Sequence, residues 1–474
     1  MSDDAYITLR TVDNFINGYG LTWNVTERVE VYTHPFWMLI LSFFYFFTHE
    51  AYLTTIFLSL VLTLIILIYL QSKIKPFSHF LLIFLVIGLS NAFVDFSTSG
   101  LENSLGHLLF VLFFFQFFGK QEKNNNYFKV FLLAGLIGIT RLDLLIIILP
   151  ILICCFIKQP DKWKAILIGL FALAPLIAWE IFSYFYYGYL FPNTFYAKLN
   201  TGIPPTKLAL QGIFYFIAAI KRDPLTIFVL LFGATYSIFN KKTFFRLWGV
   251  GLSLYLAYII KVGGDFMVGR FFTIPFLVSL LIVSQGFLQK LDLPKIIMTC
   301  ALVIGLGLLA PTSTFQQLNP NGYFEEFHGI VDEREIYFWG TGLFRYGIFN
   351  NEPNLDWIEI GKALKKQANI YGTQFYKTGF IGFLGYYAGP NVYVVDYLAI
   401  GNAFLSHQPI ININNWRIGH FEREVNQDYF NSIKSGFNRI SNEKLSTLYD
   451  EVVLKTQTRI FDKNRLAFLL KIRH

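Results

Sequence analysis

The sequence predicts an α-helical polytopic membrane protein with a C-terminal α/β domain outside the membrane. Three observations carry this reading. Of 474 residues, 54% are hydrophobic and only 15% charged, and the mean hydropathy is +0.47, more apolar surface than a water-soluble fold can hide. About ten apolar runs approach the roughly 20 residues that a spanning helix needs: 52–70, 77–95, 102–119, 127–140, 142–157, 163–187, 224–240, 243–260, 270–288 and 294–311. From residue 312 onward charged and polar residues recur, Gly and Asn punctuate the chain, and no segment is long enough to span. That tail is of ordinary domain size.

The order of elements follows from the charges between these runs. Lys73 and Lys75, then Lys120, Lys123 and Lys129, then Lys158, Lys162 and Lys164, then Lys241 and Lys242, then Lys290 and Lys295 mark alternate connections, which the positive-inside rule places in the cytoplasm. The opposite set faces out: 1–51, 96–101, Thr140-Arg141, 188–223, 261–269 and the region from 312. The apolar run from Pro35 to Phe47 is too short to cross, and counting it as a span would put the acidic N-terminus in the cytoplasm. It reads as a helix in the outer interface with Trp37 and Tyr45 at headgroup depth, and 206–220 reads likewise. Three regions result: 1–51, a first external loop with juxtamembrane helices; 52–311, the multi-span domain; and 312–474, the external α/β domain. In the last, 357–368 and 426–435 pattern as helices and 391–396 as a short buried strand. No hydrophobic span stands ahead of Asp3, and an upstream helix would complete the topology as an eleventh span.

Several function classes fall away. The net charge of +8 comes largely from loop lysines, so it does not point to nucleic acid. Cys154, Cys155 and Cys300 all lie inside apolar runs, with no disulfide framework and no CxxC pattern. His34, His407 and His420 have no metal-ligand spacing. The sequon Asn24-Val25-Thr26 reads as plain loop, and the Phe-rich stripes as lipid-facing or core packing.

The residues that carry chemistry cluster on the outer face. The chain opens Asp3-Asp4-Ala-Tyr-Ile-Thr-Leu-Arg10 and continues through Gly18-Tyr19-Gly20, Trp23-Asn24, Glu27-Arg28, Glu30 and Tyr32-Thr33-His34-Pro35. Further on come Ser99-Gly100-Leu101-Glu102, Thr140-Arg141-Leu142-Asp143, Tyr187-Gly188 with Pro192-Asn193-Thr194 to Lys198, and Gly263-Gly264-Asp265-Phe266-Met267 to Arg270. Ile381-Gly382, Gly385-Tyr386, Asp396 and Arg417 to His420 follow in the tail. In order and topology these segments resemble the integral-membrane (GT-C) glycosyltransferases that use lipid-phosphate sugars, nearest the branch containing the mycobacterial terminal arabinofuranosyltransferase. Two steps depart from that pattern: Asn103-Ser104 replaces the usual residues after Glu102, and Leu142 stands where Pro is common.

The resemblance implies an inverting glycosyltransferase of the bacterial inner membrane, with its active site and C-terminal domain extracytoplasmic. Its partners would be a polyprenyl-phosphate sugar donor, with arabinofuranose as the implied sugar, a cell-envelope glycan or glycolipid acceptor, and membrane lipids. No cofactor is required, although the acids leave room for a divalent cation. Asp3 would be the catalytic base, with Asp4 holding the loop or a polar ligand. An acceptor hydroxyl must lose its proton as it attacks, and burial or a second acid can raise a carboxyl enough for that role. Arg141 and Arg270 would meet the lipid phosphate with planar forks of donors, Asp265 would orient Arg270 or bind sugar hydroxyls, and Glu102, Asn193 and Lys198 would complete the substrate-binding set.

Each residue also has a plainer reading. The Asp pair fits a solvated N-cap, Arg141 a structural pair with Asp143, Glu102 a favourable first-turn acid, and Asn193 and Lys198 loop packing. Two other functions share the architecture. A transporter would favour internal repeats and broken helices with polar groups at the bilayer midplane, and an envelope-assembly scaffold would need no catalytic acid.

Overall fold

The computed structural model describes residues 1–118, 127–199, 201–311, 313–314, 326–343 and 355–470. The loop carrying Lys120 and Lys123 lies outside them. The chain is predominantly helical and forms two compact units. One comprises Thr55–Leu176 and Pro204–Gly342 with Met1, and the other Ser2–Thr54, Ile177–Ile203 and Leu343–His474.

The first unit is a bundle of apolar helices. Tyr52–Lys73, Thr243–Val262 and the run Arg270–Lys290 are each long and apolar enough to cross a membrane. Lys162–Ala172 and Ala174–Tyr187 are apolar enough to cross only when taken together, and residues 177–187 of the second helix belong to the other unit. The run Arg270–Lys290 is 83% buried and forms the bundle's centre, whereas Tyr52–Lys73 is 33% buried and turns Phe57, Leu64 and Ile68 outward, as a lipid-facing helix does. Close packing depends on small residues. A Cβ at Gly251 would overlap the carbonyl oxygen of Ile147, so Gly lets helix Thr243–Val262 lie directly on Leu145–Ile157.

Two of the expected spans are interrupted. The run 77–95 is a helix Phe77–Leu89 and a short helix Asn91–Phe96. Ser90 between them takes an extended backbone, and its hydroxyl accepts the N–H of Phe93 at 3.2 Å, so the side chain starts a new helix rather than continuing the old one. The run 163–187 breaks at Leu173, where the bent pair meets. Shorter apolar helices of 10–17 residues, Tyr127–Thr140 and Pro224–Ile238 among them, fall below the length that a full crossing needs.

In the second unit, helix Asp3–Ile16 packs on Pro35–Thr48 and on Phe383–Ala388. Strands Gln374–Thr378 and Val392–Asp396 pair in parallel, with Gln374 opposite Val392 and Thr378 opposite Asp396. The second strand is buried along its whole length, as a covered parallel strand should be. Helix Asp356–Tyr371 covers Phe383–Ala388. Gln427–Ser435 and Glu443–Thr456 are started by Asn426 and Asn442, whose side chains accept the N–H groups of Tyr429 and Leu445. Pro35–Thr48 leaves Phe43, Phe44, Phe46 and Phe47 exposed, a suitable face for a helix lying in a membrane interface.

Packing draws its boundaries differently from hydropathy. Residues 2–54 and 177–203 belong with the C-terminal region, and the described residues from 326 to 342 belong with the apolar bundle. The reason lies in buried polar groups that need partners. Arg10 is 2% exposed. Its Nε donates to the carbonyl of Trp23 at 2.8 Å, Nη1 to that of Gly385 at 2.7 Å, and Nη2 to that of Val392 at 2.7 Å and to Asn24 Oδ1 at 3.4 Å. The guanidinium also lies 4.6 Å from the centre of the Trp23 ring. Asn24, the sequon residue, is buried and pairs with strand residue Val394 through both its amide oxygen and its amide nitrogen. His34 is likewise buried, 2.9 Å from Thr8 Oγ1.

Arg10→Met fills the space but takes the Arg10 donors from the carbonyls of Trp23, Gly385 and Val392, of which that of Trp23 keeps Asn14 Nδ2 at 3.1 Å. The expected loss of stability is about 3 kcal/mol or more, read by thermal or denaturant unfolding of the purified protein. A loss below about 1 kcal/mol would show that Arg10 is not what joins these segments.

Candidate functional site

The apolar bundle collects charges from separated turns. Glu102 stands immediately before helix Asn103–Phe118. Arg141 follows Tyr127–Thr140 in extended conformation, and Asp143 lies in the next 3-10 turn, Leu142–Leu144. Asp265 and Arg270 belong to the connection after Thr243–Val262, where Gly263, Gly264 and Gly269 all have positive φ, a tight path that only Gly takes without strain. Tyr215 holds that connection by donating to the carbonyl of Met267 at 3.0 Å and accepting the N–H of Phe271 at 3.1 Å.

These residues form one ion-pair network. Arg141 grips Asp143 with two parallel bonds, Nε to Oδ1 at 2.9 Å and Nη2 to Oδ2 at 2.8 Å, and reaches Glu102 Oε1 through Nη1 at 3.1 Å. Arg270 pairs with Asp265 Oδ2 at 3.2 Å and approaches the same Glu102 Oε1 at 3.7 Å. Tyr255 donates to Asp143 Oδ2 at 3.0 Å, and the Arg141 guanidinium lies 5.1 Å from the centre of the Phe271 ring. Glu102 is 1% exposed, and the two arginines are 11% and 10% exposed. Three of the five N–H groups of Arg141 are engaged. The other two have no protein partner among the described residues, and the guanidinium borders a cleft also lined by Glu102, Tyr255 and Arg270.

Four of the residues singled out in the sequence, Glu102, Arg141, Asp265 and Arg270, are therefore brought together. Asp143, Tyr215 and Tyr255 join them, and only Asp143 had a sequence signal, as the neighbour of Arg141. The remaining four belong to the other unit.

In that unit Asp3 opens helix Asp3–Ile16. Its Oδ2 accepts the N–H of Gly382 at 3.0 Å and its Oδ1 that of Phe383 at 2.7 Å, so the carboxylate caps helix Phe383–Ala388. A Cβ at Gly382 would overlap the backbone and carboxyl of Asp3, so only glycine admits this approach. Burial raises the Asp3 carboxyl to about 6; the Phe383 N–H opposes the rise and Asp4 adds to it. Asp4 is half-buried at the next position. Asn193, at the start of Asn193–Leu199, donates from Nδ2 to the carbonyls of Ala399 and Ile400, both at 2.8 Å, and Oδ1 accepts Ser406 Oγ at 2.8 Å. Both amide hydrogens thus meet backbone carbonyls, the plainer packing reading of this residue. Lys198 is half-buried in the last turn of that helix.

Glu27 and Glu30, named in the opening stretch without a role of their own, also lie in this unit. Glu27 Oε1 accepts from Tyr393 Oη at 2.8 Å and from Asn24 and Asn402; burial, against these bonds, raises it to about 7. Glu30 accepts from Trp179 Nε1 at 3.1 Å and Ser183 Oγ at 2.7 Å, and burial raises it to about 8. Their alternation in Glu27-Arg28-Val29-Glu30 reads as a polar loop. Among the described residues no three His, Cys, Asp or Glu side chains gather to hold a metal ion.

Two outcomes follow. Asp3, Glu27 and Glu30 have folded values of about 6, 7 and 8 against ordinary values of 3.8, 4.5 and 4.5. The folded state therefore holds these protons more tightly than the unfolded chain, and its stability falls as pH rises from about 4 through about 8. Glu30→Gln, which cannot ionise, should gain on the order of 2 kcal/mol over the parent at pH 8 and little at pH 5; unfolding curves at the two pH values test this, and equal effects would contradict it. In the bundle, Arg141→Ala leaves the half-buried Asp143 without its cation and the buried Glu102 with only the more distant Arg270, and should cost about 3 kcal/mol. Adding Asp143→Asn should recover part of that loss, and strict additivity in the double-mutant cycle would mean that the pair is not coupled.

Comparison with protein-family models, curated proteins and solved structures finds no match to this chain, so a reading of the site rests on its residues.

Proposed function

We propose that this protein is an inverting membrane glycosyltransferase that moves one sugar from a polyprenyl-phosphate carrier to a cell-envelope glycan or glycolipid. The observation that carries the reading is the convergence of Glu102, Arg141, Asp265 and Arg270 into one buried network beside a cleft. The sequence resemblance singles out these four residues from three separate connections. Two forked cations, held by carboxylates at the ends of apolar helices, suit a phosphate that arrives on a lipid.

In this reaction the acceptor oxygen forms its bond to the anomeric carbon as the bond from that carbon to the phosphate oxygen breaks, with inversion. The acceptor proton passes to a carboxylate, and the lipid phosphate leaves with the bonding electrons. Arg141 and Arg270 are assigned to the growing phosphate charge, the kind of fixed electrostatic help that counts most in the transition state. Asp3 is assigned to the base; its carboxyl, raised to about 6, is ionised at neutral pH yet more basic than an ordinary aspartate. Asp4 supports that loop, and Lys198 is a further cation for the donor or acceptor. The reading places the chemistry on the outer face of the bacterial inner membrane, with arabinofuranose as the donor sugar.

Mass spectrometry of a deletion strain tests the proposal. Lipid-linked sugar should accumulate while one class of surface glycan loses terminal residues, and the parent gene should restore both. Unchanged glycans together with a failure to take up a small solute would replace this reading with a transporter. Complementation with Asp3→Asn should fail even where the protein accumulates. Because an amide cannot accept both the Gly382 and Phe383 N–H groups, the variant should also lose about 1 kcal/mol of stability, so its abundance must be measured alongside. Normal glycans from that variant would remove Asp3 as the base.

A further inference from the structure

The cleft beside Arg141 and Arg270 has a wall residue that the ion-pair network does not use. Asn103, the first residue of helix Asn103–Phe118, is 3% exposed and lines that cleft. Its side-chain oxygen is buried with no hydrogen-bond partner among the described residues. An acceptor in that position carries its full desolvation cost, and an apolar side chain of similar size would avoid it. Buried polar atoms left in this state mark places where something else supplies the partner.

The rest of the cleft limits what that partner is. The two N–H groups that Arg141 leaves without a protein partner among the described residues take an acceptor such as a phosphate oxygen, which does nothing for an amide oxygen. A hydroxyl does. A ligand that answers both walls carries a phosphate and a hydroxyl donor on one compact framework, which describes a sugar bonded to phosphate. Glu102, whose Oε1 meets both arginines, and Asn103 are consecutive, so the helix start fixes the anion-facing and hydroxyl-facing groups together. Phe271 and Ile274, which also line the cleft, give such a framework an apolar surface to rest on.

We infer that Asn103 is the sugar-recognising residue of this cleft, its Oδ1 accepting a hydrogen bond from a hydroxyl of a sugar whose phosphate lies against Arg141 and Arg270. The inference rests on the phosphate reading of those two arginines given above. Lipid-linked and free sugar phosphates share this chemistry.

The test measures binding of three probes to the full chain in lipid nanodiscs: inorganic phosphate, a soluble pentose 1-phosphate, and a short isoprenyl-phosphate pentose. Asn103→Leu should weaken both sugar probes about five-fold, the factor that one neutral hydrogen bond is worth, and leave inorganic phosphate unchanged. It should also raise the melting temperature of the ligand-free protein. Asn103→Asp keeps an acceptor oxygen while adding charge; it should weaken all three probes but restore the preference for sugar phosphate over phosphate. Tighter binding of the isoprenyl probe than of the soluble one assigns the lipid source, equal binding a free sugar phosphate, and either supports the role of Asn103. An unchanged preference in Asn103→Leu overturns the inference while the phosphate reading stands. If the wild-type protein binds none of the probes, or Arg141→Ala binds phosphate as the wild type does, the phosphate reading itself fails and the inference with it.

Discussion

The burial of Arg10 is the constraint on which the second unit depends. A guanidinium taken out of water must replace its hydration donor by donor, and Arg10 does so with the carbonyls of Trp23, Gly385 and Val392 rather than with a carboxylate. Those carbonyls belong to the N-terminal loop, a short helix and the start of a buried strand. One side chain therefore fixes where the polar opening stretch lies against the C-terminal residues, and the cap that Asp3 places on Phe383–Ala388 follows from that placement. Arg28, Arg423 and Arg465 repeat the device, each donating to backbone carbonyls from distant parts of the chain.

Arginine is used differently in the apolar bundle. Arg141 and Arg270 are held by carboxylates, Asp143, Asp265 and the shared Glu102, and two N–H groups of Arg141 face no protein acceptor among the described residues. An arginine spent on carbonyls is saturated by the fold. One held by acids at one edge keeps its charge, its orientation and part of its fork for something that arrives later. That contrast, more than burial itself, separates the residues that build this protein from those suited to a ligand.

The acids divide in a similar way. Glu27 and Glu30 are surrounded by neutral donors, the Tyr393 hydroxyl, the Trp179 indole and the Ser183 hydroxyl. Burial outweighs these bonds, and both rise toward or above neutrality. They act as uncharged hydrogen-bonding groups over part of the physiological range, which explains how two glutamates can lie inside a folded unit. Asp3 is the intermediate case, half-buried and facing two backbone N–H groups.

Composition and the spacing of apolar runs determined that this is a helical membrane protein, because hydrophobicity over a span-sized window is a local property. The helices near 357–368 and 426–435 and the strand near 391–396 were legible for the same reason, each with its own period. Glu102, Arg141, Asp265 and Arg270 stood out through the family resemblance, each a charge beside an apolar run. Tertiary structure alone decided what holds them. The sharing of Glu102 by two arginines, the buried oxygen of Asn103 and the commitment of Asn193 to carbonyls more than 200 residues away depend on contacts between distant segments, whereas the grip of Asp143 on Arg141 is a local pair that the sequence already offered. The breaks at Ser90 and Leu173 are different in kind, a local cap and a bend that interrupt runs which hydropathy treats as continuous. Periodicity records which face of a segment avoids water; which polar group meets which other is set by the packing of the whole chain, and that is where the candidate site is made.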